Sequence, residues 1–171
     1  TPSLTLTSLT AFRKLDNEFV VDADITEIHL LASHNLERQH QVSQEVTLSR
    51  QQSRLAWVGG LFLFDERDHQ SYWVDQYQAG TQVQLHPRVE ATSGALFGQA
   101  TVTLTPRFSA TAGLRYTHER KEIDNTGGRY AFDSPDDVLP GTGYAYTDAI
   151  RHAAWTPKFG VEMNLKPRAM A

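Results

Sequence analysis

Aromatic and cationic side chains are interspersed in two polar stretches of this sequence, residues 67–93 and 122–153. Rings and cations in this combination can hold an anionic aromatic ligand, such as a metal chelate, through stacking, cation–π contact and charge. The same residues are compatible with flexible loops whose aromatic side chains lie at an interface and touch no ligand. The candidate ligand-binding residues are Tyr72, Trp73, Tyr77, Arg129, Tyr130, Tyr144 and Tyr146.

Other chemistry is poorly supported by the sequence. Of the 7 histidines, His29 and His34 have a spacing that could bring them to one metal ion, but most histidines lie in polar stretches where solvation is the ordinary state. No Gly-x-Ser-x-Gly elbow or phosphate-binding glycine loop is present. The absence of cysteine excludes disulfides, thiolate metal sites and cysteine nucleophiles. We therefore predict no enzyme activity, no metal site and no cofactor.

Long β-strands must position the candidate residues. From Arg107 to Glu119 the even positions from 108 to 116 are apolar and most odd positions are polar, which gives a strand with one apolar face. Segments 96–104 and 155–165 repeat this alternation. A strand that crosses a bilayer at a tilt needs about 9–11 residues, against about 5–6 in an ordinary globular strand. The lengths favour a transmembrane barrel, although sheets of soluble sandwiches also bury a single face.

Strand and turn signals give an organisation in which short and long connectors alternate. This is the layout of an outer-membrane barrel, which has tight turns at one end and long loops at the other. The predicted strands cover residues 4–15, 42–50, 54–66, 94–104, 108–121 and 154–165, the tight turns cover 51–53 and 105–107, and the long polar loops cover 16–41, 67–93 and 122–153.

The second tight turn also predicts a register. A three-residue loop brings the apolar faces of its two strands together, whereas a two-residue loop would oppose an apolar face to a polar one. The predicted pairs are Leu104–Phe108, Val102–Ala110, Ala100–Ala112, Gly98–Leu114 and Leu96–Tyr116.

The strand from Leu55 to Asp65 has apolar residues at both parities, so its facing is ambiguous. Gly59-Gly60 is either a bulge that switches the facing or a point where a neighbouring chain comes close.

Composition excludes two further classes of protein. The net charge is -4 with a pI of about 5.9, and the cations are scattered, which argues against nucleic-acid binding. The mean hydropathy is -0.44, and no run of 18 apolar residues exists from which a spanning helix could form.

The first residues lack the pattern of a signal peptide, and we expect the chain to be a piece of a longer protein that is cut at both ends.

Several segments resemble consecutive barrel strands of TonB-dependent outer-membrane receptors of the siderophore-receptor-like branch. The resemblance implies part of a 22-stranded plugged barrel that takes up iron–siderophore complexes or similar scarce nutrients. It also implies bacterial outer-membrane location, contact with membrane lipid and lipopolysaccharide, a plug domain that is absent here, and energy coupling to the TonB complex through that plug. The resembling segments are 6–13, 43–48, 57–62, 95–100, 112–119 and 155–160.

The predicted fold class is all-β: an antiparallel up-and-down meander of about six long strands that forms a segment of a large transmembrane β-barrel, with residues 1–171 as one partial barrel domain. Arg107, Arg115, Glu119, Lys158 and Glu162 are predicted to line its interior. The alternative is a soluble β-sandwich or lipocalin-like module that binds a small molecule or glycan. That alternative requires Phe108, Leu114, Phe159 and Val161 to pack beneath a second layer.

Overall fold

A computed structural model describes residues 4–164, which form one antiparallel sheet. A 3₁₀ helix (Tyr77–Ala79) lies between the third and fourth strands. No helix within residues 4–164 is long and apolar enough to cross a membrane. The strands are β1 (Leu4–Asp22), β2 (Leu31–Gln51), β3 (Leu55–Gln76), β4 (Thr81–Thr105), β5 (Phe108–Ala131), β6 (Ser134–Val138) and β7 (Tyr144–Met163).

Consecutive strands pair from β1 to β5, and both β6 and β7 pair with β5. β6 continues the row of β7 beyond its end, because β7 pairs with Phe108–Gly127 of β5 whereas β6 pairs with Tyr130 and Ala131. The predicted all-β meander of long strands is therefore confirmed. The final predicted strand position, Leu165, lies outside the described residues.

The predicted long loops are wrong in extent. In place of the three long loops the structure has the shorter connectors 23–30, 77–80 and 132–143, the last of which contains β6. Most of 16–41, 67–93 and 122–153 is strand, and the two tight turns are 52–54 and 106–107. The extended strand ends carry polar side chains on both faces, so the apolar alternation that reveals a strand is lost there although the backbone ladder continues.

The sheet has a convex and a concave face. The convex face comprises the even-numbered residues of β1, β2, β4 and β5 and the odd-numbered residues of β3 and β7, as the register requires. Leu96 on this face is 62 % exposed, whereas Ala95 on the opposite face is 3 % exposed, as expected for a curved sheet.

An apolar band on the convex face runs from the tight turns to the row of Leu61, Leu96, Tyr116 and Trp155. Within residues 4–164 no second layer covers this band. The side chains that the soluble alternative needs to bury are exposed: Phe108 39 %, Leu114 48 %, Phe159 82 % and Val161 79 %.

The turn between β4 and β5 confirms most of the predicted register and corrects its last pair. Val102–Ala110, Ala100–Ala112, Gly98–Leu114 and Leu96–Tyr116 pair as predicted. Phe108 pairs with Thr105 and not with Leu104, because the register shifts between Thr103 and Thr105. The Thr105 hydroxyl accepts hydrogen bonds from the backbone N–H groups of Arg107 (3.2 Å) and Phe108 (3.1 Å), which tightens the turn and leaves Leu104 as an extra residue.

Gly59 and Gly60 lie in an unbroken ladder, so they form no bulge and the facing of β3 does not switch. Leu61 and Leu63 therefore face the convex side, and Phe62 and Phe64 the concave side. A Cβ on Gly60 would lie 2.6 Å from Cζ of Phe97, whereas a Cβ on Gly59 would have no heavy atom closer than 3.6 Å. Gly60 is thus the point of close approach.

The connector 23–30 is organised by the carboxylate of Asp24. Its oxygens accept hydrogen bonds from the hydroxyl and backbone N–H of Thr26 and from the backbone N–H groups of Leu30 (3.0 Å) and Leu31 (2.7 Å). These bonds, led by the one from the Thr26 hydroxyl, stabilise the charged form and lower the pKa of Asp24 to about 2. The hydrogen bonds of the Asp24 side chain thereby organise this connector in place of the backbone hydrogen bond of a regular turn.

Candidate functional site

Aromatic side chains on the concave face gather near the strand ends that lie farthest from the tight turns. Tyr72 of β3 and Tyr144 of β7 belong to one cross-strand row, with Leu85 and Gly127 between them. At a strand spacing of about 4.8 Å, the two tyrosines stand about 14 Å apart. Tyr146 follows on the same face of β7. These three predicted residues share one wall.

Local contacts fix the tyrosines in this wall. The hydroxyl groups of Tyr72 and Ser33 lie 3.0 Å apart, and the hydroxyl of Tyr146 donates to Asp148 at 2.9 Å. The ring of Tyr144 leans over Gly127, where a Cβ would lie 2.9 Å from the Tyr144 oxygen. A Cβ at Gly127 would also clash with the backbone carbonyl oxygen of Gln84, so a side chain there would disturb the strand ladder as well as the Tyr144 ring.

Unpartnered acceptor oxygens lie in the same region of the concave face. Oε1 of Gln39, Oδ1 of Asp68 and Oδ1 of Asn125 are buried without a hydrogen-bond partner among the described residues. Gln39 and Asp68 are direct cross-strand partners, and both face the concave side. Buried acceptors without partners are costly, so the wall offers hydrogen-bond capacity to a donor-bearing molecule that lies against it.

Arg129 joins this face but in a different setting. By register it lies on the concave face opposite Val83, and its side chain is exposed. Its backbone is held by the connector 132–143, because its carbonyl oxygen accepts from the N–H of Leu139 at 2.8 Å and its N–H donates to the Thr142 hydroxyl at 3.1 Å. Arg129 therefore extends an exposed guanidinium group from a backbone that is held by hydrogen bonds.

Two of the predicted residues lie on the convex face, because neighbours in a strand point to opposite sides. Trp73 stacks on His34 with ring centroids 4.7 Å apart, and Nε2 of His34 lies 2.9 Å from Oδ2 of Asp75. Tyr130 is buried on the same side. Sequence reasoning grouped these residues with Tyr72 and Arg129, but the strand geometry separates them.

Tyr77 lies in the short 3₁₀ helix and packs between connectors. Its ring meets His29 edge-on at 6.3 Å and Phe132 at 5.9 Å. The backbone N–H of Tyr77 also donates to the Leu30 carbonyl oxygen at 3.1 Å. Tyr77 therefore joins three connectors at the tip of the sheet, which is a structural role that its polar sequence context did not indicate.

A second concave-face cluster lies closer to the tight turns and was missed as a cluster by sequence reasoning. The guanidinium carbon of Arg115 lies 5.7 Å from the ring centroid of Phe62 and 5.7 Å from that of Phe97. Nε of Arg115 also donates to the Thr117 hydroxyl at 3.0 Å. The available signal was the apolar residues at both parities between Leu55 and Phe64, which indicate bulky side chains on the concave face as well.

The described residues contain no group of three or more His, Asp or Glu side chains that could hold a metal ion. His29 and His34, the pair with suggestive spacing, have separate surroundings: His29 meets Tyr77, whereas His34 stacks on Trp73.

The concave wall is suited to contact an aromatic or hydrogen-bonding molecule through the rings of its tyrosines, its side-chain amide oxygens and the cation of Arg129.

Comparison with known proteins gives two findings. The family model described as "TonB dependent receptor-like, beta-barrel" matches residues 4–169. The crystal structure of the ferric yersiniabactin uptake receptor FyuA from Yersinia pestis superposes with a TM-score of 0.73 at 16 % sequence identity, covering 96 % of this chain and 23 % of that one. This chain thus spans about a quarter of the length of that receptor. A search of curated proteins finds no significant match.

Proposed function

Because this chain belongs to the TonB-dependent receptor-like β-barrel family, we propose that it forms part of an outer-membrane transporter that takes up an iron–siderophore complex or a similarly scarce nutrient. The observation that carries the proposal is a family match over nearly the whole chain together with a single curved sheet whose convex side carries an apolar band and whose concave side carries a mixture of polar, charged and aromatic side chains. An uptake receptor of the same fold, FyuA, is described as taking up ferric yersiniabactin.

The convex face supports membrane insertion. In β5 and β7 the apolar band extends from Phe108 and Met163 to the pair Tyr116 and Trp155, whose ring centroids lie 4.8 Å apart. Aromatic pairs of this kind favour the boundary between hydrocarbon and water. Beyond them the convex face carries His118 and Arg120, which suit the aqueous side.

The concave face supports contact with a plug domain and a ligand at different heights. Phe62, Phe97 and Arg115 lie at the level of the apolar band, where a plug would cover their rings, and energy coupling to TonB would pass through that plug. Tyr72, Tyr144, Tyr146 and Arg129 lie toward the external end, where an incoming ligand arrives first. Trp73, Tyr130 and Tyr77 are assigned to packing in this proposal.

The test compares two adjacent residues in the complete receptor. Tyr72→Ala removes a ring from the ligand wall, and we expect uptake at subsaturating ligand to fall about tenfold, which is the effect of losing about 1.4 kcal/mol of contact. Trp73→Ala removes a larger ring from the opposite face and is expected to leave uptake within about twofold. Uptake is measured with radioactive iron loaded on siderophores from the organism's own low-iron medium, after both variants are checked for equal abundance in the outer membrane.

Two results would contradict this proposal. Equal uptake by both variants and the unaltered receptor would remove Tyr72 from the ligand wall. A complete receptor that remains a monomer in aqueous buffer without detergent would contradict membrane insertion itself.

A further inference from the structure

Hydrogen-bond donors and acceptors are used unequally in the concave wall. The hydroxyl of Tyr146 donates to Oδ2 of Asp148 at 2.9 Å. The side-chain amide of Gln70 donates to Oδ2 of Asp68 at 3.3 Å. These donors of the wall are therefore already engaged by acceptors of the same wall.

Several acceptor oxygens of the wall lack a donor. Oε1 of Gln39, Oδ1 of Asp68 and Oδ1 of Asn125 have no hydrogen-bond partner among the described residues. The amide nitrogen of Asn125 donates to the Tyr144 hydroxyl at 3.4 Å, so this side chain uses its donor and leaves its acceptor unused. Glu37 lies diagonally from Asp68 across β2 and β3 and forms no ion pair with a described residue. We call Glu37, Gln39, Asp68 and Asn125 the acceptor cluster.

The acceptor cluster can turn toward a molecule inside the barrel. Its four side chains lie on the concave face and are half-buried. Because Oε1 of Gln39 has no hydrogen bond to break, rotation of this side chain toward the interior sacrifices no bond to the protein. A ligand donor that meets such an oxygen removes the free-energy cost of an unpaired acceptor. The cluster extends from β2 to β5, a width of about 14 Å at the usual strand spacing.

The charge around the acceptor cluster is negative. Two neighbouring cross-strand rows hold the cluster, and among the described residues they contain no lysine or arginine. The carboxylates in these rows are Glu37, Asp68 and Asp148. The next row toward the external end, which contains Tyr72 and Tyr144, is uncharged.

Cations of the concave face lie only at the borders of this region. Arg129 is four residues beyond Asn125 on β5, a distance of about 13 Å along the strand. The bordering row nearer the tight turns holds Arg13 and Lys121 together with a further carboxylate, Glu66. Lys121 is already paired with a carboxylate of its own strand, Glu119, at 3.3 Å. The cations therefore do not reverse the negative charge at the acceptor cluster.

We propose that the transported ligand presents hydrogen-bond donors to the acceptor cluster, namely the hydroxyl or ammonium groups of an uncharged or cationic molecule. An anionic chelate would bring further acceptor oxygens and negative charge against a surface that has an excess of both, which opposes binding. Tyr72, four residues beyond Asp68 on β3, adds a ring that accepts either a stacked ligand ring or a cation. The inference rests on the proposed function, because it names the class of ligand for the same concave wall.

The first test determines the charge of what the complete receptor binds. Small molecules from the organism's own low-iron medium are divided by ion exchange into anionic, neutral and cationic fractions. Each fraction is incubated with the receptor purified in detergent, and mass spectrometry identifies the molecules that are retained. We expect the tightest ligand in the neutral or the cationic fraction. A tightest ligand from the anionic fraction overturns this inference, although the proposed transport function then stands.

The second test replaces acceptors by donors with a matched control. Gln39→Lys with Asp68→Asn alters the acceptor cluster, whereas His40→Lys with His69→Asn introduces the same residues at adjacent positions on the convex face. Retained unfolding temperatures establish that both double variants are folded. We expect the first variant to bind the retained ligand about tenfold or more weakly and the control to bind it within about twofold. Equal binding by the two variants overturns the inference.

Glu37→Gln distinguishes the two kinds of donor, because it removes a charge and keeps the size of the side chain. A cationic ligand is expected to bind this variant about tenfold more weakly, and a neutral hydroxyl-bearing ligand within about twofold of the unaltered receptor. Either result supports the proposal and identifies the donor. Tighter binding by Glu37→Gln would show that negative charge opposes the ligand, and it would overturn the proposal. Retention from no fraction would contradict a ligand-binding wall, and the proposed function would fall with it.

Discussion

The close approach at Gly60 gives a sharp prediction, because its neighbour Gly59 supplies the control. A Cβ on Gly60 would lie 2.6 Å from Cζ of Phe97, 2.8 Å from Cγ2 of Thr47 and 2.8 Å from the carbonyl oxygen of Val46. The two side chains can shift, but the carbonyl belongs to the ladder between β2 and β3 and can move only if that ladder deforms. Overpacking of this kind costs about 1–3 kcal/mol.

Gly59→Ala is expected to have the opposite sign. Its Cβ would point to the convex face, with the nearest heavy atom, the Phe97 carbonyl oxygen, at an ordinary 3.6 Å. Replacing glycine by alanine in a strand restricts the unfolded chain and contributes about 0.5–1 kcal/mol of stability where no clash arises. The same restriction of the unfolded chain applies to Gly60→Ala and cancels in the comparison, so Gly60→Ala should be about 1–3 kcal/mol less stable than Gly59→Ala.

The assay is urea unfolding of the complete receptor in lipid vesicles, followed by tryptophan fluorescence. Phe97→Leu provides a second-site check, since it removes the atom nearest to the added methyl group. In a double-mutant cycle with Gly60→Ala it should recover about 1 kcal/mol, while the contact with the Val46 carbonyl remains. Equal stabilities of the two alanine variants, or a coupling energy near zero, would refute the packing argument.

Two further predictions concern the faces of β4 and the connector 23–30. Ala100→Lys, in the apolar band, should destabilise the receptor in vesicles by about 2–4 kcal/mol, whereas Gln99→Lys on the concave face should cost less than about 1 kcal/mol; equal costs would contradict the assigned facing. The stabilisation that the ionised Asp24 gives its connector should be complete above about pH 3.8 and be lost as pH falls toward about 2, because the folded pKa lies below the ordinary value. Pepsin cleavage at 23–30 should therefore accelerate in the unaltered receptor as the pH falls from about 3.8 to about 2. In Asp24→Asn the cleavage should already be fast at about pH 4. Identical pH profiles of cleavage for the two proteins would contradict this role of Asp24.

The sequence predicts the part of the fold that carries the apolar band well, because only there do the two faces of the strands differ clearly in polarity. From Leu96 to Tyr116 the alternation fixes both strands and four of the five predicted pairs. The pair that fails, Leu104 with Phe108, depends on how the Thr105 hydroxyl closes the turn, and a periodicity carries no information about such a bond. Similarly, the facing of Phe62 requires the register of β3 with its neighbours, because both parities of that strand are apolar.

Beyond the apolar band the same logic explains why loops were predicted where the structure has strands. Residues such as Asp16, Arg38 and Arg88 on the convex face and Glu37, Gln39 and Asp68 on the concave face are polar, so neither parity is consistently apolar there. What continues the strands is the backbone ladder, which holds equally well with polar side chains.

The candidate site was affected by the same error in a specific way. If residues 67–93 formed a loop, Tyr72 and Trp73 could both reach one ligand, but in a strand they point to opposite sides. The same holds for Arg129 and Tyr130. The extension of the strands therefore divides the predicted aromatic set between two surfaces: a concave wall that can meet a molecule inside the barrel, and a convex surface on which His34, Trp73 and Asp75 pack together. Candidate ligand-binding residues in this chain must therefore be selected first by the face of the sheet on which they lie, and only then by the chemistry of their side chains.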